Sequence, residues 1–320
     1  IKRHSGLWLA FRYVGAGIFF TAIADAASAA KNAAEKRAKF RELIERPGIV
    51  VAPGCYDAIG AYIIEKLGYD VCYMGGNTSM ASLIGKPDIG LSTMSEMVMR
   101  AHQVSSCINL PFFCDADAGY GPINNVKRTV EEYEAAGVSG IHLEDQTTPK
   151  KCGAMAGITL VPPEEMVDKI KVALQARTDP NFIIIARSDS KKIEGIDGLI
   201  RRTKMMANAG ADVVMPECLY TKEEILKVTT AIDNAPVLVD ICELNRECMF
   251  TVKQLEDWGC KIVINPLTAA LFVCKQLTKM YANYKEKGTT MDFYDELMPL
   301  PDYQRLLGFD EEMGLGASIK

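Results

Sequence analysis

The chain has 320 residues, 48% hydrophobic and 24% charged, with a formal net charge of −5. This is ordinary globular composition with enough apolar material for a large core, which excludes a disordered or fibrous chain. Both signs of charge are interspersed, so nothing marks a nucleic-acid partner, and no basic amphipathic face suits a membrane surface.

The first segment stands apart from the rest. Lys2, Arg3 and His4 precede an apolar stretch from Leu7 to Ala24, broken by Arg12, and a small-residue run from Ala26 to Ala30. The pattern resembles a secretory or organellar presequence, and residues 1–33 are set aside as an N-terminal extension, targeting-like or artefactual. From 34 to 320 a single domain is expected, since barrels of roughly 250 residues are common and no Pro/Ser/Gly-rich linker interrupts the pattern.

A helix is predicted from about Ala34 to Glu45, stopped by Pro47 and Gly48. Eight short runs rich in β-branched and apolar residues then recur: Ile49–Pro53, Val71–Gly75, Pro111–Asp117, Gly140–Asp145, Phe182–Asp189, Val213–Glu217, Val237–Glu243 and Ile262–Pro266. Helix-like stretches separate most of them, and several close with a glycine just before the next run, at Gly68, Gly137, Gly210 and Gly259. Eight βα units of this kind predict an α/β protein, a closed (β/α)₈ TIM-type barrel. Active sites in such barrels sit where the strands end, which nominates Asp115, Asp117, Glu144, Arg187, Glu217, Asp240 and Glu243. After Thr268 the chain reads as helical to about Tyr284, then again near Tyr303–Met313. This tail, from about 269, exceeds what a barrel needs to close, and its apolar residues Met298, Leu300, Leu306 and Leu307 suit docking on a partner subunit.

The ten cysteines are scattered, several of them in predicted strands (Cys72, Cys114, Cys242), where they read as small buried residues. A reducing cytoplasm is the expected compartment, with organellar delivery by the first segment left open. Only His4, His102 and His142 are present, and no paired Cys/His spacing suggests zinc or a histidine-based triad.

Two loops concentrate the chemistry. In Asp115-Ala116-Asp117, followed by Ala118-Gly119-Tyr120-Gly121, strand alternation would point both carboxylates the same way. A hard divalent cation would relieve their repulsion, with Glu144 and Asp145 completing an oxygen-rich shell. Mg²⁺, which keeps several of its waters, is the natural occupant, with Mn²⁺ the substitute. The second loop is Lys150-Lys151-Cys152-Gly153, directly after that acidic strand end. A free thiol titrates near ~8.5, so Cys152 can act as a proton donor, although flanking lysines would shift it toward thiolate; from the residues alone it is either an acid or a nucleophile.

At these residues a resemblance becomes specific. CYDAIGAYIIEKLGYDVCYMGG, GKPDIGLST, CDADAGYG, HLEDQTTPKKCG, IIARSDS, GADVVMPE and VLVDICE, in this order, resemble the phosphoenolpyruvate mutase/isocitrate lyase superfamily. Within it they are most similar to the short lyases that include 2-methylisocitrate lyase, 2,3-dimethylmalate lyase and oxaloacetate hydrolase. The likeness runs from about Ala34 to Leu271 and implies a Mg²⁺-dependent retro-aldol or retro-Claisen cleavage of a 2-hydroxy di- or tricarboxylate to pyruvate and a second acid. It makes Asp115 the direct metal ligand and Asp88, Asp117 and Glu144 the carboxylates that hold the metal's waters. Tyr73, Gly75 and Gly76 match the turn whose backbone N–H groups hold the substrate carboxylate, and Arg187 the arginine that balances charge on the substrate oxygen. Cys152 becomes the acid that protonates the leaving carbanion, from a loop with flexible points at Gly153 and Gly157, while Lys151, Gly153, Glu217, Asp240 and Glu243 fall on further pocket positions. The sequence does not identify the base, for which a metal-linked water and Glu217 are candidates. The resemblance also implies a homotetramer with C-terminal helices exchanged between subunits.

Three departures stand out. Ala154 replaces the histidine of the usual KKCGH, Gly75 replaces a common serine, and Asp240 replaces an asparagine, placing an extra negative charge in a pocket meant for a polyanion. The rival readings are an oxaloacetate hydrolase or decarboxylase, a phosphonomutase (against which the loop cysteine argues), and a catalytically silent carboxylate-binding barrel. No strand ends in a lysine suited to Schiff-base chemistry, and Pro53-Gly54-Cys55-Tyr56 is no dinucleotide fingerprint.

Overall fold

The computed structural model describes residues 31–315 except 242, 244 and 245. Almost all of the N-terminal extension, and Cys242, therefore lie outside the described residues. The first helix, α1, covers 31–45, so its opening turn belongs to the segment assigned by sequence to the extension.

All eight predicted runs form strands: β1 (Val50–Cys55), β2 (Cys72–Met74), β3 (Phe112–Asp115), β4 (Gly140–Glu144), β5 (Ile183–Ser188), β6 (Val213–Pro216), β7 (Leu238–Asp240) and β8 (Ile262–Asn265). Most end one to three residues earlier than the apolar pattern does, because the last residues of each run leave the ladder to line the barrel mouth. Asp117, Glu217 and Glu243 thus lie beyond their strands. Every pairing is parallel, in the order β6-β5-β4-β3-β2-β1-β8-β7. The ring closes between β6 and β7 through a single bridge, Val214 to Val237, where the Val214 N–H donates to Pro236 O at 3.0 Å.

The helices are α2 (Ala58–Lys66), α3 (Gly76–Ile84), α4 (Met94–Cys107), α5 (Ile123–Ala135), α6 (Pro163–Ala176), α7 (Lys191–Asn208), α8 (Lys222–Ala231), α9 (Val252–Asp257), α10 (Thr268–Lys287), α11 (Leu300–Leu306) and α12 (Phe309–Leu315). Gly68, Gly137, Gly210 and Gly259 have φ between 81° and 100°, the left-handed conformation that stops a helix and turns the chain back toward the sheet.

Strand alternation divides the core in two. One set (Cys72, Met74, Cys114, Ile141, Ile184 and Val214 among them) faces outward against the helices. The other (Val50, Ala52, Tyr73, Phe113, Ile183, Ile185, Val213, Met215, Leu238 and Ile264) fills the barrel, and α1 plugs its lower end with Phe40, Leu43 and Ile44. Phe40, Phe113, Tyr73 and His142 form a continuous aromatic column, with ring centroids 5.1, 5.0 and 5.7 Å apart. The plug is pinned by Lys36, whose ammonium donates to Ser105 O and Ile108 O at the C-terminal end of α4, satisfying carbonyls the helix leaves unpaired.

No buried residue occurs on α10, and Leu271, Phe272, Leu277, Tyr281 and Tyr284 are exposed along it. Among the described residues, no helix is long and apolar enough to cross a membrane.

Candidate active site

The alternation that fills the barrel with apolar residues places charged ones on the same face one step higher. Asp115 follows Phe113, Glu144 follows His142, Arg187 follows Ile185, Glu217 follows Met215 and Asp240 follows Leu238. With the loops above them they surround a cavity of about 290 Å³ whose lining includes Tyr73, Gly75, Gly76, Asp88, Asp115, Cys152, Ala154, Arg187, Glu217, Asp240 and Glu243. The structure thus brings most of the sequence-nominated residues to one space. Asp117, Glu144, Gly153 and Lys151 are not in that lining: Asp117 lines a second cavity with Lys150, and Lys151 Nζ turns outward to Gly157 O at 3.0 Å.

Asp115 anchors the floor. Its Oδ2 accepts the Gly76 N–H at 3.2 Å and its Oδ1 the Asp117 N–H at 2.9 Å. A Cβ on Gly76 would lie 2.6 Å from Asp115 Oδ2, so only glycine permits this approach. Gly75 caps α3, whose N-terminal amides therefore open at the cavity, a favourable setting for an anion. Burial alone would raise the Asp115 carboxyl, but the facing His142 imidazole, the charges of Lys150 and Arg187 and the Asp117 N–H hold it well below the usual range.

Asp117 is not a simple partner on the same strand face. It takes a left-handed φ of 49° just past β3 and meets Lys150 Nζ at 2.6 Å. The same ammonium lies 2.8 Å from Asp88 Oδ1, all three side chains being buried. Burial pushes the Asp117 carboxyl up to about 6, with Asp115 and Asp88 adding to the rise against the pull of Lys150.

Glu144 is fully buried and neither of its oxygens has a hydrogen-bond partner, although Arg187 Nε stands 3.5 Å from Oε2. Its carboxyl is pushed well above the ordinary range by burial. Arg187 donates through Nε to Asp189 Oδ1 at 2.9 Å and lies 3.6 Å from Glu217 Oε1. Glu217 Oε2 has no partner, and burial raises this carboxyl as well.

The loop between β4 and α6 closes over these groups. Gln146 holds it: Nε2 donates to Lys151 O at 2.8 Å and to Asp189 Oδ2 at 2.5 Å, while Oε1 accepts the Lys151 N–H at 3.0 Å. The Cys152 N–H donates to Asp88 O at 3.0 Å. The Cys152 thiol is half-buried, and burial raises it despite a hydrogen bond from the Ala154 amide, so the flanking lysines do not make it a thiolate. Gly153 presses on the arginine cluster: a Cβ there would sit 2.8 Å from Arg187 Nη2 and 2.9 Å from Asp189 Oδ1.

Lys150, Asp189, Gln146 and His142 were not nominated from sequence. His142 Nε2 shares a hydrogen bond with the Tyr73 hydroxyl at 2.8 Å, and its Nδ1 lies 3.5 Å from Asp115 Oδ1. Burial lowers its pKa to about 4, so it is a neutral support for the cavity floor. HLEDQ and ARSDS carried the other signals, since a polar residue just past a charged strand end is a candidate second support.

A parallel (β/α)₈ barrel whose mouth combines paired aspartates, a buried arginine and a cysteine loop defines a class of carboxylate-handling enzymes. The family model for phosphoenolpyruvate phosphomutase matches residues 40–284, and the chain belongs to this family, within the phosphoenolpyruvate mutase/isocitrate lyase superfamily. The 2,3-dimethylmalate lyase of Eubacterium barkeri is 39% identical over 86% of this chain and 94% of its own length. The 2-methylisocitrate lyase of Aeropyrum pernix is 38% identical over 85% and 87%. A solved structure of oxaloacetate acetylhydrolase with the inhibitor 3,3-difluorooxalacetate superposes with a TM-score of 0.84 at 27% identity, covering 90% of this chain and 97% of that one. The protein is a lyase of this superfamily.

Proposed function

We propose that the protein is a Mg²⁺-dependent carbon–carbon lyase that cleaves a compact, branched 2-hydroxydicarboxylate of the 2,3-dimethylmalate type to pyruvate and a second carboxylic acid. The observation that carries this reading is the single cavity enclosing Asp115, Arg187, Glu217 and Cys152.

The residues fit a divalent cation. Glu144 is a buried carboxylate whose two oxygens have no hydrogen-bond partner, and Asp88, Asp115 and Asp117 are further buried carboxylates, all four acting on the Lys150 ammonium. Among the described residues no three candidate ligands are gathered tightly enough to form a ready-made metal cluster; in this reading Asp115 would hold the ion, with Asp88, Asp117 and Glu144 as supporting carboxylates. Such an ion supplies a Lewis acid for the oxygen that gains charge.

The chain's own groups account for the rest. Amides at the start of α3 hold the substrate's first carboxylate. Glu217, with a free oxygen and a raised pKa, takes the proton of the 2-hydroxyl as the C2–C3 bond breaks, and Arg187 balances the charge developing on that oxygen. The bonding pair passes to C3 of the leaving acid, and Cys152, kept as a thiol by burial, protonates that carbon. The Gln146 latch excludes water while this happens.

A panel of 2,3-dimethylmalate, 2-methylisocitrate and oxaloacetate, following pyruvate, acetate and oxalate with and without Mg²⁺, tests the reading. Dimethylmalate turnover should lead, and Asp115→Ala should abolish both turnover and stabilisation by the metal. Full activity in excess chelator would overturn it.

A further inference from the structure

The wall of the cavity away from Asp115 has an unusual charge balance. It carries Asp240 and Glu243, with Ala154 on the loop supplying no side-chain donor. Glu243 Oε1 accepts the Thr268 hydroxyl, but Oε2 is buried and has no partner. The nearby cations are already engaged: Arg187 with Asp189, Glu144 and Glu217, and Lys150 with Asp88 and Asp117. Asp240 is half-buried; burial raises its carboxyl to about 6 against the pull of Arg187, and Glu243 adds to the rise, so the two acids feel one another. Among the described residues that line the cavity, a ligand carboxylate here would meet two carboxylates, and the one lining cation, Arg187, is already paired with Asp189, Glu144 and Glu217. A buried acceptor without a donor costs free energy that a ligand donor recovers.

We infer that Asp240 and Glu243 form a subsite for a hydrogen-bond donor, so that the preferred substrate is a malate-type dicarboxylate whose C3 arm ends in a hydroxyl or an ammonium group. This rests on the lyase reading, which places the substrate's first carboxylate at the start of α3 and its 2-hydroxyl by Arg187 and Glu217. It goes beyond that reading by giving the remaining arm a positive identity rather than only a size. An ammonium would pair with both carboxylates, whereas a hydroxyl would donate to one of them.

The test is calorimetric binding to the Mg²⁺-loaded full chain of malates with short C3 arms, 2-hydroxyethyl, 2-aminoethyl, ethyl and carboxymethyl, with 3-methylmalate, whose arm is a single methyl, as the control. The tighter of the two donor-ended ligands should bind about tenfold more strongly than the carboxymethyl one, with ethyl between them. Asp240→Asn should shrink that ratio several-fold, with the affinity for 3-methylmalate measured in both proteins as the reference. Equal or tighter binding of the carboxymethyl arm, or a ratio unmoved by Asp240→Asn, overturns the subsite while the lyase reading stands. If 3-methylmalate itself does not bind, the lyase reading falls and the subsite with it. The relative affinities of the hydroxyethyl and aminoethyl arms decide which donor the site prefers.

Discussion

Cys152 gives the most direct test at the level of single residues. Its thiol lines the cavity and is kept protonated by burial, so Cys152→Ser should leave ligand affinity nearly intact and lower kcat by roughly 10²–10⁴-fold, the usual value of a lost general acid. A serine variant with full kcat would remove the cysteine from the mechanism. Asp240 has a measurable effect on stability. Its carboxyl titrates near 6 in the folded state, against an ordinary value of about 3.9 for an unfolded chain. Between those values the folded state holds the extra proton, so this group costs stability as pH rises through roughly 4 to 6, and the cost is complete above that window. Asp240→Asn should therefore flatten the pH dependence of urea unfolding in that window and stabilise the protein at pH 8. Discounted for the residue's partial exposure, the gain should be roughly 1–2 kcal/mol. Parallel pH curves for the two proteins would contradict the assignment.

At the scale of elements, the loop between β4 and α6 connects binding to catalysis. Gln146 ties its backbone to Asp189, and Asp189 orients Arg187, so loop position and arginine position are held by one set of hydrogen bonds. Gly153→Ala would push a methyl into Arg187 and Asp189, and kcat should fall by roughly tenfold to a hundredfold through misplacement of the loop. Stopped-flow turnover with the proposed dimethylmalate substrate would measure it; an unaltered rate would show that the loop works without this contact. The strands were legible because a parallel barrel buries both strand faces, making each a short apolar run, and charges then appear where the run ends. The latch was not legible. Gln146 and Lys150 act through where the loop folds back, and a polar side chain reads the same in sequence whether it faces solvent or lies between Asp88 and Asp117. Glu243 was found for a partly mistaken reason: the pattern placed it on β7, which ends at Asp240, and the turn beyond delivers it to the cavity.

At the scale of the whole molecule, the described chain leaves an amphipathic tail without a partner. The apolar residues exposed along α10 continue into Tyr294, Leu297, Met298 and Leu300, more than isolated surface residues would explain. Velocity sedimentation of the full chain should show an assembly larger than a dimer, and truncation after Leu271 should lower solubility. A monomer at micromolar concentration would leave this surface unexplained.

The barrel wall is not equally strong all the way round. Seven of its joints are ladders, but β6 and β7 meet at one bridge, where Pro236 has no N–H to contribute. Glu217 follows one lip of this seam and Asp240 ends the other, so any parting of the strands moves Glu217 away from the opposite wall of the cavity. A ligand that touched both lips would act as a stitch, closing mechanically a ring that the backbone leaves nearly open.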